Sequence, residues 1–389
     1  MSDITLVFPP SPFLINQAVF PPLGIMYLSA HLKKMGFDVQ CLDMGIGHDP
    51  DIAESHTIGI SFTTPQRMEA YKLADHYKKL GCKLIAGGSH PTHMPGEVRQ
   101  HGFDVVIRGY GESLLASVLG TRDSREFNWD FPPDRDCLPL NEYRYEIDGR
   151  RATPIMTSRG CRYNCAFCAK MDWKPRIQTS GKVVEEIFQI KEKYGITAFM
   201  IFDDVFIIDK DRTRKIAEAL ENEGFLFRCF GRSDLLDKEN CELLKRMGTV
   251  EVGLGIESGS DVVLEKIKKR TSQKMNTEAV KNLREVGIRA KAFFIIGLPG
   301  ETEDTVRETV DWIEMVCPDD LDVTIFQPMP GSDIFNNPVK YGVKFEYDGA
   351  QWYKGKPGEY STTVSTDGLS SERIIYWRNK IERRYKKKE

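Results

Sequence analysis

Cys161, Cys165 and Cys168 stand within eight residues of one another in Gly160-Cys161-Arg162-Tyr163-Asn164-Cys165-Ala166-Phe167-Cys168. Three thiolates on one short loop can wrap a metal centre. Zinc would want a fourth protein ligand, usually through a second pair of cysteines or histidines. Here no histidine follows the loop and no second Cys-x-x-Cys occurs, because His31, His48, His56, His76, His90, His93 and His101 all precede it. An iron-sulfur cluster held by cysteine fits better, and three ligands for four irons leave one iron open to a small molecule. The remaining cysteines, Cys41, Cys82, Cys137, Cys229, Cys241 and Cys317, are scattered singly, as packing thiols are in a reducing compartment.

Such a loop needs a scaffold, and strand and helix patterns alternate on its carboxyl side. Apolar strand runs at 154–157, 198–202, 226–230, 250–256, 290–296 and 322–326 are separated by helix-period stretches at 182–193, 212–223, 238–247, 261–267, 277–286 and 303–315. Six strands are too few to close an eight-stranded barrel, so an open partial barrel is predicted, with its site at the carboxyl ends of the strands. The cysteine loop follows the first of them. Upstream, apolar runs at 4–8, 37–42, 57–62, 83–86 and 105–107 alternate with helices at 24–35, 66–80 and 112–119. This predicts a doubly wound parallel sheet whose ligand lies at the strand ends, where Ser61, Thr63, Thr64, Gly87, Gly88, Gly109 and Gly111 fall. Those glycines read equally as simple turns. Only about a dozen residues separate the second and third strands, the span a crossover helix would need for itself, so this sheet is expected to lack one helix. The α/β chain therefore divides into a domain at 1–120, a proline-rich linker at 121–152, the barrel at 153–328 and an extension at 329–389. That extension carries an amphipathic helix at 371–385 and a basic end at Lys386, Lys387 and Lys388.

Composition narrows the partners. Lys and Arg number 54 against 57 Asp and Glu, a net charge of −3, so no global basic field is present to hold nucleic acid. With 41% hydrophobic and 29% charged residues, a folded core is expected. The most apolar stretches, such as 292–298, are far below the ~20 residues that cross a bilayer, and the expected location is cytoplasmic.

The Cys-x-x-x-Cys-x-aromatic-Cys spacing after a first strand resembles the signature of the radical S-adenosylmethionine (radical SAM) superfamily. Further matches are Phe202-Asp203-Asp204-Val205-Phe206, Arg232-Ser233-Asp234, Gly255-Ile256-Glu257-Ser258-Gly259 and Ile296-Gly297-Leu298-Pro299-Gly300-Glu301, each at a strand end. With Gly87-Gly88-Ser89-His90-Pro91-Thr92 and Gly109-Tyr110-Gly111-Glu112 upstream, the chain is similar to the subgroup that carries an amino-terminal cobalamin-binding domain. The resemblance implies a [4Fe-4S] cluster on Cys161, Cys165 and Cys168, whose fourth iron takes the amine and carboxylate of SAM, with Phe167 near the adenine. Asp203 or Asp204 would hold the methionyl ammonium and Arg232 its carboxylate. Glu257 and Ser258 would meet the ribose, and Ile296 and Gly297 the adenine. Other readings stand beside these: a helix N-cap for Asp203 and Asp204, an ion pair of Arg232 with Asp234 or Glu257, and core packing for Ile296.

Cobalamin would sit on Ser61, Thr63, Thr64, Gly87, Gly88, His90, Gly109, Tyr110, Gly111 and Glu112. His90 and His93 could alternatively form a metal pair. The cobalt-ligating Asp-x-His-x-x-Gly of some cobalamin enzymes has only a chance echo in Glu54-Ser55-His56-Thr57-Ile58-Gly59, and the subgroup does not need it. What the family implies is reductive cleavage of SAM, an electron donor such as flavodoxin or ferredoxin, and cobalamin-dependent methylation of an unactivated carbon in a small molecule. Two alternatives remain: a radical SAM cyclase, rearrangement or oxidation enzyme, with or without cobalamin, and a nonenzymatic iron-sulfur sensor.

Overall fold

The computed structural model describes residues 2–120, 131–172, 174–347, 355–356 and 359–386. Part of the expected linker, at 121–130, and the tail residues Lys387 and Lys388 lie outside the described residues. Chain contacts separate two compact units, Met1–Tyr145 and Glu146–Glu389.

In the first unit, β1 (Ile4–Phe8), β2 (Val39–Asp43), β3 (Thr57–Ser61), β4 (Lys83–Gly87) and β5 (Val105–Val106) form a parallel sheet in the order β2-β1-β3-β4-β5. The strands are nearly continuous apolar runs because both faces are covered, and Ile4, Leu6, Val7, Ile58, Ile60 and Leu84 are buried. The chain reverses its order of strands beside β1 and β3, the place where doubly wound sheets open a crevice. Between β2 and β3 only two 3₁₀ turns, Met44–Ile46 and Pro50–Ile52, replace a crossover helix. Two short helices absent from the periodicity, Ser89–His93 and Pro95–Gln100, follow β4. Residues 131–145, read from sequence as linker, pack with this unit. Asp134 accepts hydrogen bonds from Ser29 and Lys33, each at 2.7 Å, and the Tyr143 hydroxyl donates to buried Asp43 at 2.7 Å. Prolines hid this packing by breaking the periodicity while leaving the polar anchors in place.

In the second unit, the edge strand β6 (Tyr145–Ile147) precedes six parallel strands: β7 (Arg150–Ile155), β8 (Ala198–Ile201), β9 (Leu226–Gly231), β10 (Thr249–Glu257), β11 (Arg289–Ile296) and β12 (Asp320–Ile325). Their order, β12-β11-β10-β9-β8-β7-β6, is sequential and open, and the sheet curls into a half-barrel. Strand β7 begins earlier than the apolar run suggested, since its first residues are the exposed Arg150 and Arg151. The helices start where side chains cap them: Thr179, Asp209, Asp237, Ser272, Thr302 and Ser370 each accept a hydrogen bond from a backbone N–H of the first turn. The cap before Lys210–Leu220 is Asp209, so neither Asp203 nor Asp204 serves that role. Their buried stripes, among them Val183, Ile187, Ile216, Leu244, Val280 and Trp312, share one core with the strands. Among the described residues no helix is long and apolar enough to cross a membrane.

Candidate functional site

The cysteine loop leaves β7 through Thr157 and Ser158, and a buried carboxylate fixes that exit. Asp203, at the end of β8, accepts hydrogen bonds from the Thr157 N–H at 2.6 Å, the Thr157 hydroxyl at 2.5 Å and the Ser158 hydroxyl at 2.7 Å. Arg212 backs the same corner, donating to the Thr157 carbonyl at 3.1 Å and to its hydroxyl. Burial pushes the Asp203 carboxyl upward against these donors. Asp204 points elsewhere: it accepts from the Gly160 N–H at 3.0 Å and its side chain reaches solvent, while the surrounding protein mass raises its pKa.

Farther along, the loop is pinned at its middle. The Ala166 N–H donates to the Ile267 carbonyl at 2.8 Å, the Ile334 N–H to the Ala166 carbonyl at 3.1 Å, and Lys170 to the Cys161 carbonyl at 2.8 Å. Cys161, Cys165 and Cys168 are free thiols, and Cys165 and Cys168 line a cavity of about 350 Å³ with Asn164, Gly331, Asp333 and Asn336. Burial, then the neighbouring thiols, push Cys168 up to about 12. A positively charged iron centre reverses that penalty, because a coordinating thiol is deprotonated outright. Among the described residues no three such side chains converge on a point that would hold a single metal ion. The fit to a cluster rests on the donor set itself, three free thiols on one pinned loop.

Around the loop, β9 and β10 bring buried charge. Arg232 donates to Asp234 at 3.0 Å and to the Lys269 carbonyl at 2.8 Å, and its guanidinium lies 3.6 Å from the centre of the Tyr163 ring. Glu257 has φ of 64°, next to a register shift in the β10–β11 ladder. That irregularity aims its carboxylate at the Lys269 ammonium, 2.6 Å away, in a pair that is nearly inaccessible. Gly255 makes room for it: a Cβ there would come within 2.5 Å of the carboxylate and 2.8 Å of the ammonium. Phe167 is half-buried, its ring centre 5.9 Å from the Lys269 nitrogen.

Three expected contacts face elsewhere. The Ser258 hydroxyl is fully buried and lies 3.3 Å from that of Thr309, a place set by packing with the helix Glu303–Val316. Ile296 is core. Gly297, at φ 94°, abuts Ile374, which a Cβ would approach to 2.7 Å, and its N–H donates to buried Glu301 at 2.5 Å.

In the first unit, the strand ends divide similarly. His90 is fully buried, with one ring nitrogen 3.0 Å from the Tyr71 hydroxyl and the other 3.1 Å from that of Thr64, so both ring nitrogens are engaged internally. The candidate pair with His93 gains no third ligand among the described residues. Thr63 is tied to Gln66 at 2.9 Å. Gly88, at φ 101°, would place a Cβ 2.6 Å from the Phe62 carbonyl oxygen, so its bareness serves strand contact. Gly87 and Gly109 would place a Cβ in open space, and Gly111 in ordinary contact with Leu28 at 3.4 Å. The Gly109 N–H donates to Thr92, whose hydroxyl donates to the Gly88 carbonyl, joining two of the strand ends. Ser61 pairs with Gly87 in the β3–β4 ladder, and Tyr110 and Glu112 follow at the start of the helix Glu112–Val118, with Glu112 buried. At Gly87 and Gly109 the strand ends are therefore open to solvent on the side a Cβ would occupy.

Residues 155–313 match the Radical SAM superfamily and residues 17–119 match the B12 binding domain. The chain carries a radical SAM domain preceded by a B12-binding domain. A [4Fe-4S] cluster, SAM and cobalamin are the cofactors that these two domains imply. This radical SAM chain is 29% identical over 380 residues to an uncharacterised methyltransferase of Pyrococcus horikoshii, covering 85% of this chain and 82% of the relative. It is 25% identical over 370 residues to the anaerobic magnesium-protoporphyrin IX monomethyl ester cyclase of Rubrivivax gelatinosus, covering 81% of this chain and 66% of that enzyme. Its fold is that of the radical SAM methyltransferase TsrM from Kitasatospora setae, with a TM-score of 0.74 at 18% identity, covering 95% of this chain and 87% of the other. Sequence reasoning missed Lys269, Thr157 and Tyr163. Thr157 precedes the motif and Tyr163 lies within it, and the run Lys268-Lys269-Arg270 is a cationic signal that could have flagged the partner of Glu257.

Proposed function

We propose that this protein is a cobalamin-dependent radical SAM methyltransferase acting on an unactivated carbon of a small molecule. The observation that carries the reading is the presence, in one chain, of a pinned three-thiol loop at the end of β7 and a B12-binding domain with open glycine ends at β4 and β5. The methyltransferase relative supports it. The cyclase relative favours a second reading, in which the same cofactors serve ring formation.

Cys161, Cys165 and Cys168 would hold the cluster. Bound there, the cluster would supply the electron that cleaves SAM, and cobalamin would carry the methyl group. For SAM we assign Phe167, Asp204 and Glu257. Asp203 and Ser258 shape the walls, since their hydrogen bonds are made within the protein. Asp204 is the carboxylate with reach for an ammonium, and Glu257, held by Lys269, offers its remaining capacity to hydroxyls. Ser61, Gly87, Gly109 and Tyr110 are assigned to cobalamin, while His90, Thr64 and Gly88 build the strand ends. An acidic or flavin-bearing electron carrier such as flavodoxin or ferredoxin would supply reducing equivalents.

Anaerobic reconstitution with iron, sulfide, cobalamin and SAM tests the reading. Cluster and cobalamin absorbance together, with a product heavier by one methyl group, are expected. A protein that assembles the cluster yet takes up no cobalamin would overturn the methyltransferase reading.

A further inference from the structure

Arg232 leaves β9 at its carboxyl end and is 5% exposed. Three of its nitrogens already have partners: Nε on Asp234, Nη2 on the Lys269 carbonyl, and Nη1 directed at Cys165 Sγ at 3.7 Å. Below the plane lies Tyr163, so two of the four contacts belong to the cysteine loop itself. A guanidinium held on its edges and one face is preorganised toward a fixed atom, and the atom here is the sulfur of Cys165. Lys269, whose carbonyl Arg232 holds, is compensated by Glu257 at 2.6 Å, and its ammonium lies 5.9 Å from the centre of the Phe167 ring.

We propose that Arg232 is a positioning residue that donates an N–H to the Cys165 sulfur and thereby raises the reduction potential of the cluster. This rests on the reading that the three cysteines hold that cluster. Hydrogen bonds to the sulfurs and nearby charge set the potential of an iron-sulfur centre. With a cluster held on Cys165, one-electron reduction would place more negative charge on the ligand sulfurs, and the buried Arg232 N–H directed at one of them would stabilise the reduced form more than the oxidised. No bond is made or broken in the protein. This role replaces the SAM-carboxylate partner expected from the motif.

The experiment compares wild type, Arg232→Gln and Arg232→Lys, reconstituted anaerobically and titrated with dithionite in the absence of SAM and cobalamin, with the reduced cluster followed by electron paramagnetic resonance. Iron content and SAM affinity are measured on the same preparations. Arg232→Gln is expected to retain its iron, to bind SAM within about twofold of wild type, and to disfavour the reduced cluster about tenfold, which is 59 mV for one electron. Arg232→Lys keeps the charge without the fork and is expected to disfavour it about threefold, about 28 mV. An unchanged potential overturns the proposal, and if SAM affinity collapses at the same time the arginine is a SAM ligand. Should Arg232→Gln fail to fold, an unshifted potential in Arg232→Lys overturns it equally. Wild type lacking iron would overturn the cluster assignment itself, which the iron count reports separately.

Discussion

Replacing Glu301 by Gln removes one ionisation from beneath the turn that follows β11. Glu301 is fully buried; one carboxylate oxygen receives the Gly297 N–H at 2.5 Å, and the other makes no hydrogen bond of normal geometry among the described residues. Burial pushes its pKa to about 8 from an ordinary 4.5, against the lowering effect of the Gly297 and Leu298 N–H groups. The sign follows from which state binds the proton. Below pH 4.5 the folded and unfolded chains both carry the neutral acid, and the fold bears no penalty. Between 4.5 and 8 the unfolded chain ionises first, so stability falls as pH rises, and the loss is complete above 8. At about 1.4 kcal/mol per pH, the interval from about pH 5 to pH 8 corresponds to about 4 kcal/mol. Glu301→Gln retains the acceptor for Gly297 and cannot ionise. Urea unfolding of both proteins under anaerobic conditions, from about pH 5 to pH 9, should show wild type losing about 4 kcal/mol relative to the variant. Parallel curves, with the same difference at every pH, would refute the reasoning, because they would mean a carboxyl whose ionisation the fold does not oppose.

Three other outcomes are expected. Cys165→Ala should abolish iron binding and SAM cleavage, while Cys317→Ala, on an exposed thiol, should alter neither; iron analysis and a cleavage assay decide. Lys269→Met strands a buried carboxylate and should cost about 3–5 kcal/mol, whereas Lys269→Met with Glu257→Gln should recover much of it, and a denaturation double-mutant cycle with simply additive losses would contradict the pairing. Gly87→Val, whose Cβ enters open space, should fold normally and lose cobalamin absorbance; Gly88→Val, driven into the Phe62 carbonyl, should lower the melting temperature of the cofactor-free protein as well.

Much of the scaffold was legible because its elements repeat. The runs at 198–202, 226–230 and 290–296 predict β8, β9 and β11 to within two residues, since β8 is buried throughout and β9 and β11 alternate buried with less buried positions, both patterns that a sequence displays. The missing helix between β2 and β3 could be read from length alone. Side-chain commitments could not. Asp203 looks like a free carboxylate at a strand end until Thr157 and Ser158, more than forty positions earlier, are brought against it. Ser258 and Gly88 occupy the expected strand ends, yet Thr309 and Phe62 determine where they face. Lys269 lies beyond a helix from Glu257 and meets it only because of the bulge in β10. Each is a tertiary partnership with no local periodicity to betray it.

The contact between Gly297 and Ile374 sets an order of events during synthesis. The turn after β11 rests against a side chain made 77 positions later, on the helix Ser371–Tyr385, and the same helix hydrogen-bonds β12 from Arg378 to the Val323 carbonyl. At 5–20 residues per second, a ribosome needs about 4–15 s to travel from one to the other. Throughout that interval the turn after β11 and the carboxyl end of β12 lack the helix that later covers them, so the half-barrel is closed on that side only by the last part of the chain to be made.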